Sequence, residues 1–197
     1  MIRLLLISYL LIPGFKLLAQ DYHADKYLKL IRTGVFNKIF INRQPMPIDK
    51  FRVVARVALE TIDNDTVEVP GLSRAEIEIY RTLINNLTVI DTTSWRDSEL
   101  ITCVIVPGES HVNVEYAISK FKPEGKEDVK FYKQMVDRFN RGSYTDKWIY
   151  TFSRPIIDET GNYAVLTDTS ELNMFGCFFY KWNGYAWKEM LNISTRN

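Results

Sequence analysis

A histidine, an amide and a carboxylate alternate along one segment of the chain that is predicted to be a strand. These residues are His111, Asn113 and Glu115, and residues two apart in a strand point to the same face. His111 and Glu115 would supply two metal ligands from one strand, but no neighbouring motif supplies a third. Ser110 points to the opposite face from His111, so this pair cannot be a nucleophile and its base. The alternative to a chemical role is a solvated polar face.

Neighbouring carboxylates are the second candidate for chemistry. They occur as Asp97 with Glu99, Asp158 with Glu159, and Asp168 with Glu171. A glycosidase holds two carboxylates about 5 to 9 Å apart across a cleft, which sequence spacing does not establish. The chain lacks the glycine-flanked serine of α/β-hydrolases, the phosphate-binding loop, the HExxH zinc motif and the EF-hand loop. The sequence therefore predicts no cofactor and no metal ion.

Aromatic residues are concentrated around Asn183-Gly184, a strong signal for a β-hairpin with a two-residue turn. That turn would pair Trp182 with Tyr185 and Tyr180 with Trp187, so that five aromatic side chains share one face. The predicted binding residues are therefore Phe178, Tyr180, Trp182, Tyr185 and Trp187. A flat aromatic surface can stack on sugar rings or take up a peptide. The alternative is that helices, or the curling of the sheet itself, cover these side chains.

Two cysteines, Cys103 and Cys177, each lie in an apolar run that is predicted to be a strand. In an oxidising compartment they could form a disulfide. Alternatively, they are buried free thiols that pack as small hydrophobic groups. Neither has the spacing of a metal-binding motif.

The first nineteen residues have the layout of a secretory signal peptide. Arg3 precedes an apolar run of roughly 9 residues, much shorter than the ~20 that span a bilayer, and the small residue Ala19 suits signal peptidase. We expect cleavage between Ala19 and Gln20, and an exported domain that is periplasmic or secreted. The mature form would then have no stable membrane span. An uncleaved membrane anchor is the alternative.

The composition predicts one self-sufficient domain over residues 20–197. About 178 residues favour a single hydrophobic core, and 46% hydrophobic residues are enough to fill it. The 25 basic and 24 acidic side chains give a net charge of +1, and no window is densely basic. Nucleic acid is therefore not an expected partner.

The pattern of apolar residues predicts an α+β fold. Three- and four-residue spacing predicts helices over 22–40, 51–62, from Ser73 to Ile84, and 127–140, although the valines of the second segment also suit a strand. Ser73 and Glu76 have the spacing of a capping box. β-Branched or alternating segments predict strands over 87–91, 100–106, 111–121, 148–153, 163–168, 175–182 and 185–191. We expect three or four helices packed on one antiparallel sheet, with a C-terminal β-meander.

Several short motifs follow one another in the second half of the chain. They are a helix with Phe131-Tyr132, then Phe152-Ser153-Arg154-Pro155, Ala164-Val165-Leu166, Cys177 and the hairpin Lys181-Trp182-Asn183-Gly184-Tyr185-Ala186-Trp187. In this order of motifs the mature chain resembles uncharacterised exported proteins of Bacteroidetes-type bacteria. The resemblance implies the fold and an exported location, with no established activity. We therefore expect a non-catalytic binding domain of the bacterial envelope or extracellular space, whose partner is a glycan, a peptide or an envelope protein. The alternative is a small exported hydrolase that uses carboxylates or His111.

Overall fold

Helices and strands account for most of what the computed structural model describes, which is residues 24–35, 38–64, 71–107, 111–142, 149–170 and 174–196. The helices are α1 (24–34), α2 (Ile48–Asn64), α3 (Arg74–Asn85), α4 (Val114–Phe121) and α5 (Lys126–Arg141). The strands are β1 (Phe40–Asn42), β2 (Val104–Val106), β3 (Ile149–Phe152), β4 (Ile156–Ile157), β5 (Tyr163–Ser170), β6 (Met174–Trp182) and β7 (Trp187–Arg196). The α+β class is confirmed. The predicted signal peptide and its cleavage after Ala19 lie outside these ranges.

All seven strands belong to one sheet, in the order β2-β1-β3-β5-β6-β7, with β4 paired to β5. The strands from β3 to β7 pair antiparallel, so the predicted C-terminal meander is confirmed. The prediction of a wholly antiparallel sheet is wrong, because β1 runs parallel to both β2 and β3. Helices α2 and α3 separate β1 from β2 in the chain and supply the long connection that a parallel pair requires.

Helices cover both faces of the meander. Leu30 and Ile31 of α1 pack in one cluster with Phe178 and Tyr180 of β6. The next residue along β6, Phe179, packs in a second cluster with α2 and α3, as alternation along a strand requires. A third cluster packs α4 and α5 against β1, β2 and the start of β3. The middle of the meander is therefore core on both sides, which explains why its sequence is apolar at successive positions.

The long amphipathic helices were predicted correctly. The segment that also suited a strand is helical as α2, with an apolar face buried through Phe51, Val54 and Leu59. At the start of α3, the Ser73 side chain accepts the N–H of Glu76, and the Glu76 carboxylate accepts the N–H of Ser73. The predicted capping box is therefore present, and it satisfies two backbone donors at the helix end.

Some predicted boundaries and two strand predictions are wrong. Helix α1 ends before Phe40, which belongs to β1, and only Val104–Val106 of the predicted strand 100–106 is a strand. Residues 87–91 form no strand, and the predicted strand 111–121 is instead α4. The Asn113 side chain caps α4 by accepting the N–H of Tyr116 at 2.8 Å. None of the helices within the described ranges is long and apolar enough to cross a membrane.

Candidate binding site

The turn between β6 and β7 differs from the predicted two-residue turn. Trp182 pairs with Trp187, so four residues connect the strands. The Asn183 side-chain oxygen accepts the N–H groups of Tyr185 at 3.2 Å and Ala186 at 2.9 Å, and Gly184 has a φ of 105°. This Asx turn closes the hairpin with one left-handed residue instead of two, which shifts the predicted register.

Burial overturns the predicted aromatic platform. Phe178, Tyr180, Trp182 and Trp187 are 8%, 1%, 8% and 5% exposed and belong to the core cluster that α1 completes. Tyr185 stands in the turn instead of the strand, and 76% of its surface is exposed. For four of the five residues, the fold therefore matches the alternative given in the sequence analysis, in which a helix covers these side chains.

An open groove of about 490 Å³ lies between α1 and this turn, and it keeps two of the predicted binding residues at a surface. Its lining consists of Lys29, Arg32, Thr33, Tyr185, Ala186 and Trp187. Trp187 is a fixed wall, because its indole N–H donates to the Lys26 carbonyl at 2.8 Å and its ring meets Trp182 edge to face at 5.5 Å. Tyr185 contributes the accessible aromatic ring.

The charged groups that line this groove are both basic. Lys29 and Arg32 lie three residues apart on α1, which places them on the same side of the helix. Lys29 makes an exposed ion pair with Asp25 at 2.7 Å, whereas Arg32 makes no ion pair with any residue in the described ranges. The Thr33 hydroxyl is already used as a donor to the Lys29 carbonyl at 2.8 Å. The groove therefore combines an exposed ring with a guanidinium that is unpaired within the described part of the chain.

The predicted trio of His111, Asn113 and Glu115 does not form a strand face. His111 is exposed just before α4, Asn113 caps that helix, and Glu115 lies exposed in its first turn. No group of three metal-ligating side chains occurs within the ranges that the structure describes.

In the first candidate pair of carboxylates, Asp97 and Glu99 are each bound by a different basic side chain. Asp97 binds Lys120 at 2.6 Å and accepts the Tyr116 hydroxyl at 2.7 Å, and these bonds hold the pKa of Asp97 below its usual range. Glu99 instead forms an ion pair with Arg154. Both carboxylates thus hold the local structure together.

In the second pair, Asp158 and Glu159 do not face each other across a cleft, and in the third pair only Asp168 lies within the described residues. Asp158 accepts the N–H groups of Asn162 and Tyr163, both at 2.8 Å, and so holds the turn before β5 closed, while Glu159 is exposed. Asp168 is 6% exposed, and burial raises its pKa to about 6 even though Lys38 lies 3.8 Å away. Its predicted companion, Glu171, lies outside the described residues.

The predicted disulfide is absent, because Cys103 and Cys177 are both free and fully buried. Cys103 belongs to the cluster that contains α1, and Cys177 to the cluster beneath α2 and α3. The sheet therefore lies between the two thiols. Burial raises the pKa of both, so they pack as hydrophobic groups.

Sequence reasoning missed the buried arginine Arg154, which is 2% exposed. Its guanidinium binds Glu99, donates to the carbonyls of Thr93 at 2.9 Å and Ser94 at 3.0 Å, and stacks 3.9 Å from the Trp95 ring centre. The motif Phe152-Ser153-Arg154-Pro155 contains it, but nothing local in that motif marks the arginine as buried.

No protein-family model, no curated protein and no solved structure matches this chain at a significant level. The resemblance to exported proteins of Bacteroidetes-type bacteria therefore stays a prediction.

Proposed function

We propose that this chain is an exported, non-catalytic domain that binds an anionic glycan in the groove between α1 and the β6–β7 turn. Export rests on the signal-peptide pattern of the first nineteen residues. The observation that carries the ligand class is Tyr185, which is 76% exposed above a groove lined by Lys29 and Arg32.

A sugar ring matches the aromatic part of this groove. The exposed ring of Tyr185 offers a flat apolar face on which a sugar ring can stack. Trp187 supports the groove from below without being free to move, because its indole N–H is bonded to α1. Trp187 itself would therefore lose little conformational entropy when a ligand binds.

A carboxylate on the sugar matches the basic part. Among the residues that the structure describes, the lining contains two basic residues and no acidic one. The guanidinium of Arg32 can bind a carboxylate through two parallel hydrogen bonds, which a neutral sugar cannot accept with the same strength. Uronic-acid polymers combine the ring and the charge.

The hydrolase alternative gains no support from the described residues. His111 is exposed near a helix start, with Asn113 occupied as a cap. Asp97 and Glu99 are each bound to a cation. We therefore assign no reaction to the site.

Calorimetric titration with oligogalacturonate tests the proposal. Tyr185→Ala should weaken binding by about 1 to 3 kcal/mol, the scale of a hot-spot aromatic, without lowering the melting temperature. Arg32→Gln should weaken binding to galacturonate by roughly 1.5 to 3 kcal/mol, the strength of a hydrogen bond to a charged group.

Matched controls lie on α5, where Phe131 is 62% exposed and Arg138 is exposed. Phe131→Ala and Arg138→Gln should leave the affinity unchanged. Equal affinity for neutral malto-oligosaccharides, or for a poly-glutamate peptide, would contradict the assigned ligand class. Release of reducing ends during the titration would contradict a non-catalytic role.

A further inference from the structure

We propose that a second groove, between α3 and the β4 strand with its following turn, docks a peptide whose apolar side chains are flanked by lysine or arginine. This inference does not depend on the glycan groove, because different elements form the two sites. The second groove has a volume of about 560 Å³.

The floor of this groove is apolar. It is formed by Ile79, Leu83, Leu87, Ile156 and Ile157. Leu83 and Leu87 are only partly buried against the core cluster beneath α2 and α3, and Ile79 and Ile157 are also only partly buried, whereas Ile156 is 7% exposed. Four of the five side chains therefore leave part of their surface uncovered. Apolar surface gathered in one concave place favours a partner that buries side chains there.

The rim of the groove selects the charge of that partner. All of its charged lining residues, Glu78, Asp158 and Glu159, are acidic. Glu78 shares an exposed ion pair with Arg81 at 3.2 Å, an interaction that is worth little in water. Glu159 makes no ion pair within the described part of the chain. A cationic segment is therefore attracted, and an acidic one is repelled.

The acidic rim also has a fixed geometry. Asp158 accepts the backbone N–H groups of Asn162 and Tyr163, so its carboxylate and the turn that carries Glu159 are held in place. On the opposite side, the capped helix α3 carries Glu78. Charges on both sides of an apolar floor match a short peptide whose apolar side chains are flanked by basic ones.

Three acetylated, amidated tetrapeptides test the proposal by calorimetry and by amide chemical-shift mapping on the full chain. They are Lys-Leu-Lys-Leu, Lys-Gly-Lys-Gly, which lacks the apolar groups, and Glu-Leu-Glu-Leu, which reverses the charge. We expect only Lys-Leu-Lys-Leu to bind and to shift amides of α3 and of residues 156–160. Its affinity should fall as the salt concentration rises.

Variants then distinguish binding at the acidic rim of the groove from a general effect of the protein's charge. Glu78→Gln and Glu159→Gln should each weaken binding of Lys-Leu-Lys-Leu by up to about fivefold, the range for an exposed charge pair. Glu124→Gln, an exposed acid just before α5, is the matched control and should change nothing. Equal binding of Lys-Gly-Lys-Gly or Glu-Leu-Glu-Leu, shifts at another surface, or no binding by Lys-Leu-Lys-Leu would overturn the proposal.

Discussion

Arg154 shows how one side chain fixes a loop that has no secondary structure of its own. The segment 87–96 contains neither helix nor strand, yet its carbonyls at Thr93 and Ser94 are bound by the guanidinium, which also donates to the Tyr27 hydroxyl at 3.1 Å. A buried guanidinium must have its donors satisfied, and here carbonyls, a hydroxyl and Glu99 satisfy them. Arg154 thereby joins α1, this loop and the segment after β3.

Asp168 is the residue whose ionisation opposes folding. Burial raises its pKa to about 6, above the ordinary value of 3.8, and Lys38 offsets this only in part. Because the folded state binds the proton more tightly, the free energy of unfolding falls as the pH rises from about 4 to about 6. The loss is on the order of 3 kcal/mol by linkage.

Asp168→Asn should remove that loss. Urea denaturation between pH 4 and pH 8 should show the variant gaining stability relative to the parent as the pH rises. Asp97→Asn is the control: because the pKa of Asp97 is lowered, its contribution to stability is nearly constant from pH 4 to pH 8 and is lost only at lower pH, so the variant should differ from the parent by a constant amount across this range. If the parent and the Asp168→Asn variant differ in stability by a constant amount across this pH range, the result would contradict a raised pKa of the buried Asp168 carboxyl.

At the scale of elements, the close approach of α1 to the sheet depends on Gly34. A Cβ added there would lie 2.1 Å from Cδ2 of Leu166, whose side chain in β5 is 1% exposed. A branched side chain in a filled core cannot move aside cheaply. Gly34 therefore sets the distance at which α1 covers the aromatic residues of β6 and β7.

Gly34→Ala should destabilise the protein. Alanine gains up to about 1 kcal/mol of helix propensity, but overpacking costs about 1 to 3 kcal/mol, so we expect a net loss in urea denaturation. Gly125→Ala is the steric control, because nothing lies within 4 Å of its added Cβ. Gly125 is the N-cap of α5, where alanine is a poorer cap than glycine, so we expect a loss of at most about 1 kcal/mol there and no overpacking. An increase in stability for Gly34→Ala would show that α1 does not pack this closely.

The pattern of apolar residues predicts the long helices correctly and the short segments wrongly, and the reason is physical. Helices α2 and α5 repeat their apolar spacing over 17 and 16 residues, which favours a helix even in α2, whose valines also suit a strand. In α4, with 8 residues, Val114, Ala117 and Phe121 fit a helical face, while alternate positions equally fit a strand. The Asn113 cap and contact with α5 decide between them, and neither can be weighed from periodicity alone.

In the molecule as a whole, a contact between distant parts of the chain decides whether the predicted aromatic residues are exposed or buried. Trp187 donates to the Lys26 carbonyl, 161 positions earlier. The sequence predicts that hairpin residues are aromatic and partly on one face, but not that α1 returns to cover them. Of the five predicted binding residues, Tyr185 alone is exposed, because the Asx turn places it outside the strand.

The position of the cysteines on opposite faces of the sheet predicts a protein without a disulfide, even after export. The native protein should react with no thiol reagent, because Cys103 and Cys177 are fully buried. After unfolding without a reductant, two thiols should titrate, and a reductant should leave the melting temperature unchanged. Unfolded, unreduced protein with no titratable thiol would contradict this arrangement.

The most direct test of the glycan groove is chemical-shift mapping of the full chain during titration with tri-galacturonate. We expect saturable shifts centred on the backbone amides of Tyr185 and Ala186 and on the guanidinium of Arg32, and we expect Tyr185→Ala to abolish them. Shifts of the same size with the neutral trisaccharide, shifts centred elsewhere, or no shift at millimolar ligand would contradict the proposed glycan groove.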